Sequence, residues 1–302
     1  MMRALFLYLS QQPAWQQRLV GFRPTRRLVR RFIAGETLEE AIAAIRQLQQ
    51  AGAKASLDML GENVRSEQEA RVAQQAYVQS LQMIHAYGLD SNISIKPTHL
   101  GLDIDRALCY DLVESLVERA HALHNMVEID MESSAYTDAT LDLVHRLRDR
   151  FERVGVAIQA YLYRSERDVR RLIERGIKVR LVKGAYKEPP SVAFPRKKEV
   201  DRNYVHLMKI LLDSGQYHAI ATHDARIIEE AMAYTRAIGR DPRSFEFQML
   251  YGVRRDLQQR LIREGWILRI YVPYGTHWYP YFMRRLAERP ANVLFVLRHL
   301  FH

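Results

Sequence analysis

The sequence predicts an α/β fold, a distorted (β/α)₈ barrel with additional N-terminal helices, on three observations. From residue 53 onward, eight short β-branched or alternating runs recur, and stretches of helical periodicity separate them. The array spans about 250 residues, the length such a barrel requires. Strict alternation of strand and helix demands a parallel sheet, and eight units are enough to close it. An open doubly wound sheet is the alternative, but no G-x-G-x-x-G follows the first run.

In chain order the expected strands are AKASLDML (53–60), SNISIKP (91–97), MVEIDM (126–131), VAIQAYL (156–162), KVRLVKG (178–184), HAIATH (218–223), SFEFQML (244–250) and ILRIYVP (267–273). Helix starts are marked by Thr37 with Glu40 and by Ser66 with Glu69, both capping-box spacings, and by Ser165 before an Arg/Leu-rich stretch. Residues 1–50 read as a helical extension packed on the barrel. Residues 51–302 read as the barrel itself, including a C-terminal helix over YFMRRLAERPANVLF (281–295). No linker, repeat or low-complexity tract marks a second domain.

Composition narrows the functional classes. The chain has 302 residues, 48% hydrophobic and 26% charged, a balance that suits a soluble globular protein with a large core. No apolar run approaches the ~20 residues of a membrane span, and no cleavage-site pattern follows the apolar start, so a cytoplasmic location is expected. Cys109 is the single cysteine, which leaves neither a disulfide framework nor a Cys-based zinc site. The formal charge is +10, concentrated in RPTRRLVRRF, where Arg23, Arg26, Arg27, Arg30 and Arg31 interleave with Leu28, Val29, Phe32 and Ile33. Such a segment is either a helix with one solvated face or a contact for an anionic membrane. The remaining basic residues are scattered among 35 acids, so nucleic acid is not an expected partner.

Barrel enzymes place their chemistry at the C-terminal strand ends. Here those ends carry Asp58 and Glu62, Lys96, Asp130, Gln159, Arg180 and Lys183, Thr222 and His223, Gln248, and Tyr271. Barrel interiors are usually filled by branched aliphatics, so a polar residue at nearly every end is a departure. The helix after strand eight adds Arg284 and Arg285, directly after the aromatic run YVPYGTHWYPYF. Taken alone, that helix pairs Arg284 with Glu288 one turn on. Taken with Lys96, Arg180 and Lys183, the arginines suggest an anionic ligand, with Asp130 read as the only inward carboxylate able to balance them. His223 has no partner at metal-ligand spacing, and no G-x-S-x-G elbow is present. A Schiff-base role for Lys96 or Lys183 stays open, although it leaves the tyrosines and the arginine pair without a task.

Five motifs in order, IQAYL, RLVKGAY, IATHD, FEFQMLYG and YVPYGTHWYPYFMRRLAERPANVLF, resemble the proline dehydrogenase family, specifically its small monofunctional bacterial members. The resemblance runs from about Lys96 to the C-terminus. It implies a distorted (β/α)₈ barrel with non-covalent FAD that oxidises L-proline to Δ1-pyrroline-5-carboxylate by hydride transfer to flavin N5 and passes electrons to a quinone. It assigns catalytic positions to Asp130 and Arg180, with Arg180 at the N5 region. Substrate positions fall on Arg284, Arg285 and Lys96 around the carboxylate, on Tyr271 against the ring, and on Tyr186 and Leu250 as pocket walls. Flavin positions fall on Met131, Gln159, Arg180, Val182, Lys183, Gly184, Ala185, Thr222 and His223.

Many members have Trp after GAY and Asn after ATH, where this chain has Lys187 and Asp224, so the adenine end of the cofactor is expected to be held differently. With no strong general base visible, the amine is expected to react in its neutral form and the rate to rise with pH. Glu62 is a candidate gate over the arginines, and KEPPSVAFPRKK reads equally as a lid or a surface loop. A quinone acceptor adds peripheral membrane contact through Arg23–Arg31 to the expectations. Oligomeric state is left open.

Overall fold

The structure, a computed structural model, describes residues 29–288, with side chains through Arg285. Helix α1 (Leu38–Gln50) begins where the spacing predicts: Thr37 accepts the Glu40 amide and the Glu40 carboxylate reaches back, a complete capping box. The eight expected runs form β1 (Lys54–Met59), β2 (Ser91–Ile95), β3 (Val127–Ile129), β4 (Val154–Gln159), β5 (Lys178–Val182), β6 (Ala219–Ala221), β7 (Glu246–Leu250) and β8 (Leu268–Tyr274). All pair in parallel in chain order, and β8 returns to β1 with Ala55 opposite Ile270, closing the barrel.

Between the strands lie α2 (Glu67–Ala86), α3 (Arg106–Ala122), α4 (Thr137–Arg148), α5 (Ser165–Glu174), α6 (Lys197–Asp213), α7 (Ala225–Ala237) and α8 (Arg255–Arg263). Two start signals differ in detail from expectation. Ser66 caps α2, but the Glu69 carboxylate receives the Arg65 amide at 2.7 Å rather than that of Ser66. Ser165 is already inside α5, its hydroxyl turned back to the Gln159 carbonyl at 2.6 Å. Strand β4 ends at Gln159, three residues before the expected limit, because the chain turns there.

The strands divide their side chains by parity. Ile93, Ile95, Val127, Ile129, Val156, Ile158, Val179, Leu181, Ile270 and Val272 belong to the main apolar core, with Leu116, Val144 and Leu211 from the surrounding helices. The alternate residues face the lumen and are mostly polar, with small residues such as Ala157 and Ala219 beside Arg180. Arg180 on β5 bonds Ser94 on β2 at 2.7 Å and Ser56 on β1 at 3.3 Å, reaches that only cross the barrel. Toward the N-terminal strand ends, Glu246 takes Lys178 at 2.8 Å and Arg269 at 2.9 Å, so buried charges are paired, as a low-dielectric interior requires.

Helix α9 (Trp278–Glu288) follows β8 and lies over the C-terminal mouth, because Arg284 reaches the β1–α2 loop. Its aromatic run is buried: Trp278, Tyr279 and Phe282 form a second apolar cluster with Val29, Phe32, Ile33, Leu60 and Val253. The aromatic turn is therefore the floor of a helix that has left the usual ring. Of the basic segment, Leu28 and the residues before it lie outside the described residues. KEPPSVAFPRKK runs beside the turn after β4 and is hydrogen-bonded to it: Phe194 donates to the Tyr161 carbonyl at 2.8 Å and Tyr163 to that of Val192 at 3.0 Å. Glu188 accepts the Ser134 amide at 2.7 Å, bracing the same loop to the one after β3.

Candidate active site

At the mouth of the barrel, Lys96 stands between two carboxylates. Its ammonium donates to Asp58 at 2.9 Å, to Asp130 at 3.1 Å and to the Tyr271 hydroxyl at 3.3 Å. Tyr271 spends its own proton on Asp130 at 2.6 Å, and Arg180 donates to the other Asp130 oxygen at 2.6 Å and to Glu128. Asp130 is thus not the only inward carboxylate: Asp58 and Glu128 share the task of balancing the cations. Both were legible as lumen-facing from strand parity, since Asp58 lies two residues after Ser56 and Glu128 two before Asp130.

The electrostatics follow from burial and these partners. Burial disfavours the Lys96 charge, but Asp58, Tyr271, Asp130 and Glu62 outweigh it and hold the amine well above the ordinary lysine range. A Schiff-base nucleophile must be a free amine, so Lys96 is set for binding rather than for carbonyl attack. Burial likewise opposes the Arg180 charge, and Glu128 and Asp130 overcome it. Burial lifts the Asp58 carboxyl to about 6.

Arg284 does not depend on its own helix for a partner. Its guanidinium forks onto Glu62, Nη2 to Oε1 at 2.7 Å and Nη1 to Oε2 at 3.1 Å. Arg285 lies over the Tyr281 ring, 5.0 Å from its centroid. The adjacent arginines point in different directions, as helical geometry dictates, yet both border one cavity.

That cavity, of about 770 Å³, is lined by all the residues singled out from the sequence for substrate or cofactor. Lys96, Asp130, Tyr271, Tyr186, Leu250 and the two arginines occupy it, and so do Met131, Arg180, Val182, Ala185 and Thr222. Gln159 donates to the Glu132 carbonyl at 2.8 Å and accepts the Ala185 amide at 3.4 Å. His223 accepts the Leu250 amide at 2.9 Å, which fixes a lone pair on Nε2. Gly184 has φ +118°, and a Cβ there would run into the Tyr161 ring. Lys183 bridges Asp201 at 2.5 Å and Asp224 at 3.0 Å, and Asp224 also caps α7.

Sequence reading did not find Glu132, whose carboxylate takes the Thr98 amide at 3.0 Å and hydroxyl at 2.6 Å beneath the cavity, nor Tyr281 on its wall. Glu132 sits one residue beyond an expected strand and carries no pattern of its own.

A closed parallel barrel whose mouth gathers a lysine, a tyrosine and two arginines round one cavity has the layout of a barrel enzyme. The family described as proline dehydrogenase matches residues 41–298, and the chain belongs to that family. It is 42% identical over 302 residues to proline dehydrogenase 1 of Bacillus subtilis (strain 168), covering 99% of this chain and 98% of that one. It is 40% identical over 276 residues to the proline dehydrogenase of Deinococcus radiodurans, covering 90% and 89%. Among solved structures it resembles proline utilization A from Bdellovibrio bacteriovorus inactivated by N-propargylglycine, with TM-score 0.83 and 26% identity over 87% of this chain and 33% of that longer one.

Proposed function

We propose that this enzyme oxidises L-proline to Δ1-pyrroline-5-carboxylate with non-covalently bound FAD, in the cytoplasm, and that a quinone takes the electrons. The observation that carries the reading is the convergence of Arg284, Arg285, Lys96, Tyr271, Asp130 and Arg180 on one cavity at the barrel mouth. The residues present fit the cofactor on two counts. The cavity of about 770 Å³ has room for more than a small amino acid, and the buried Nε of Arg180 has no hydrogen-bond partner of its own. When bound, FAD supplies the two-electron acceptor for oxidation of the substrate C–N bond and the onward path to the quinone.

The chain's own part is binding and orientation. Arg284, Arg285 and Lys96 hold the carboxylate, and a guanidinium fork fixes direction as well as charge. Tyr271, tied to Asp130 and Lys96, offers its ring as a wall, with Tyr186 and Leu250 opposite. Arg180, locked between Asp130, Glu128 and Ser94, keeps a cation where electron density accumulates. Gln159, Met131, Thr222, His223 and the Val182–Ala185 turn take the cofactor, Gly184 by close backbone approach. Lys183, paired with Asp201 and Asp224, would meet the pyrophosphate or the ring of the cofactor. In this reading Glu62 is the gate, holding Arg284 until a substrate carboxylate arrives. The division of the chain near residue 50 into extension and barrel is part of the same proposal.

No helix among the described residues is long and apolar enough to cross a membrane. Access to a quinone then rests on peripheral contact. Because Val29, Phe32 and Ile33 are buried under α9, that contact is proposed for the charges of Arg23–Arg31. Charge reversal there is expected to weaken binding to anionic vesicles.

The test is an absorbance spectrum of the FAD-loaded protein under anaerobic conditions. Flavin bands that bleach with L-proline, and persist in an Arg284→Ala/Arg285→Ala variant, support the reading. Bands that stay oxidised in the wild type overturn proline as the substrate.

A further inference from the structure

Two buried carboxylates hold Arg180 at different depths of the barrel. Asp130 borders the cavity and accepts from Nη1 at 2.6 Å. Glu128, two residues earlier on β3, accepts from Nη2; it is fully buried and lies outside the cavity lining. Lys178, two residues before Arg180 on β5, pairs with Glu128 at 3.3 Å and with Glu246 at 2.8 Å, and Arg269 meets Glu246 at 2.9 Å. Charge therefore alternates from the mouth of the barrel inward: Asp130, Arg180, Glu128, Lys178, Glu246, Arg269.

The place of Glu128 in this series is built for an anion. Asn92 donates to its Oε2 at 3.3 Å. Gly155, its register partner on β4, leaves the space its side chain fills, because a Cβ there would come within 3.2 Å of the Glu128 Cγ. Burial opposes ionisation, but Arg180 and Lys178 overcome it and hold the carboxyl below its ordinary range. Glu128 is therefore a fixed negative charge directly behind the one cation that the proposed function sets at the flavin.

In a low-dielectric interior, an anion paired with a guanidinium offsets part of the field which that guanidinium sends into the cavity. Reduction of the cofactor adds two electrons, so a more positive cavity favours the reduced form. We infer that Glu128 is a positioning residue that acts through Arg180: it anchors the guanidinium from within the lumen, offsets part of its charge and, with Lys178 behind it, sets the reduction potential of the bound flavin. The inference rests on the flavin and Arg180 assignments of the proposed function and is independent of which substrate donates the electrons.

The experiment is a potentiometric titration of the FAD-loaded full chain, without L-proline, in wild type, Glu128→Gln and Lys178→Gln, with flavin absorbance read against a redox dye of known potential. Each substitution removes one charge and keeps a side chain able to hydrogen-bond. In Glu128→Gln the ratio of reduced to oxidised flavin at the wild-type midpoint should rise about ten-fold or more, a shift of about 30 mV to higher potential for two electrons. In Lys178→Gln the potential should move the other way and by less, since Lys178 is one link farther from the cavity.

An equal or lower potential in Glu128→Gln would mean that the carboxylate only pairs or places Arg180, and would overturn the inference. Shifts of the same sign in both variants would overturn it too, because a loosened lumen does not distinguish the sign of the charge removed. If Glu128→Gln does not fold, Lys178→Gln decides: an unchanged or raised potential rejects the inference. A protein that takes up no FAD removes the flavin reading and this inference together. The expected pair of shifts in an enzyme that does not bleach with L-proline would overturn proline as the substrate and support the role of Glu128.

Discussion

The guanidinium of Arg284 and the carboxylate of Glu62 meet face to face, 2.7 Å and 3.1 Å apart at their two contacts, and so tie the helix after the last strand to the loop after the first. In the proposed function the same fork takes the substrate carboxylate, so the ion pair and the substrate would compete for one geometry. Arg284→Lys keeps the charge and loses the fork. We expect KM for L-proline to rise ten-fold or more, with flavin content and thermal midpoint near wild type, as read by steady-state kinetics on the loaded enzyme. An unchanged KM would mean that charge alone suffices.

Tyr271→Phe removes the hydroxyl that donates to Asp130 at 2.6 Å and accepts from Lys96 at 3.3 Å, while the ring stays. A hydrogen bond to a charged group contributes roughly 1.5–3 kcal/mol, so kcat/KM should fall by about ten- to a hundred-fold if the contact serves the transition state. Rapid-mixing measurement of bleaching checks this. A variant as fast as wild type would confine the hydroxyl to a structural role.

Glu246 separates stability from activity. It is fully buried toward the far end of the lumen, pairs with Lys178 and Arg269, and meets the cavity only through Gln248, which donates to it at 2.7 Å. Glu246→Gln takes the carboxylate from buried Arg269 and leaves Lys178 with Glu128 alone, and breaking such a buried pair costs about 3–5 kcal/mol. Urea unfolding should show that loss, with KM for L-proline within two-fold of wild type.

Acid should weaken the fold partly through His218. Its Nδ1 accepts the Val179 amide at 3.1 Å, and burial, helped by Arg240 and Lys178, pushes the imidazole down to about 3. The unfolded chain, with an ordinary histidine near about 6.5, binds the extra proton. This contribution is therefore whole above that pH and is lost as pH falls from about 6.5 toward 3. Glu132 acts in the opposite sense. Burial raises it to about 7, so its contribution is present at low pH and fades as pH rises through that value. In urea midpoints measured from pH 3.5 to 7, His218→Gln should flatten the acid slope relative to wild type, and an unaltered slope would contradict this account.

Gly61 immediately precedes Glu62, the gate of the proposed function. A Cβ on Gly61 would collide with the His99 imidazole, which is itself held by Tyr77 at 3.2 Å. Gly61→Ala should therefore shift the β1–α2 loop and cost about 1–3 kcal/mol. Adding His99→Ala opens space and should recover part of that loss in a double-mutant cycle. Strict additivity of the two changes would reject the contact.

Local sequence rules determined much of this protein. Period-two runs separated by period-3.6 runs set eight strands and their helices, and Thr37 with Glu40 marked a helix start to the residue, because caps and periodicity depend on neighbours in the chain. The barrel rule also placed Lys96, Asp130, Arg180 and Tyr271 at the C-terminal strand ends. Motif order carried the family. What the sequence alone did not decide were the pairings, since these join residues far apart in the chain. Arg284 looked toward Glu288 one turn away, but its partner is Glu62, 222 positions distant. Asp130 read as the sole balancing carboxylate, yet closure of the barrel brings Asp58 and Glu128 within reach of the same cations. Strand ends stopped short where turns began, as β4 does at Gln159. Hydrogen bonds and ion pairs in a closed barrel are set by which strands lie across the lumen, and that is fixed only when β8 meets β1.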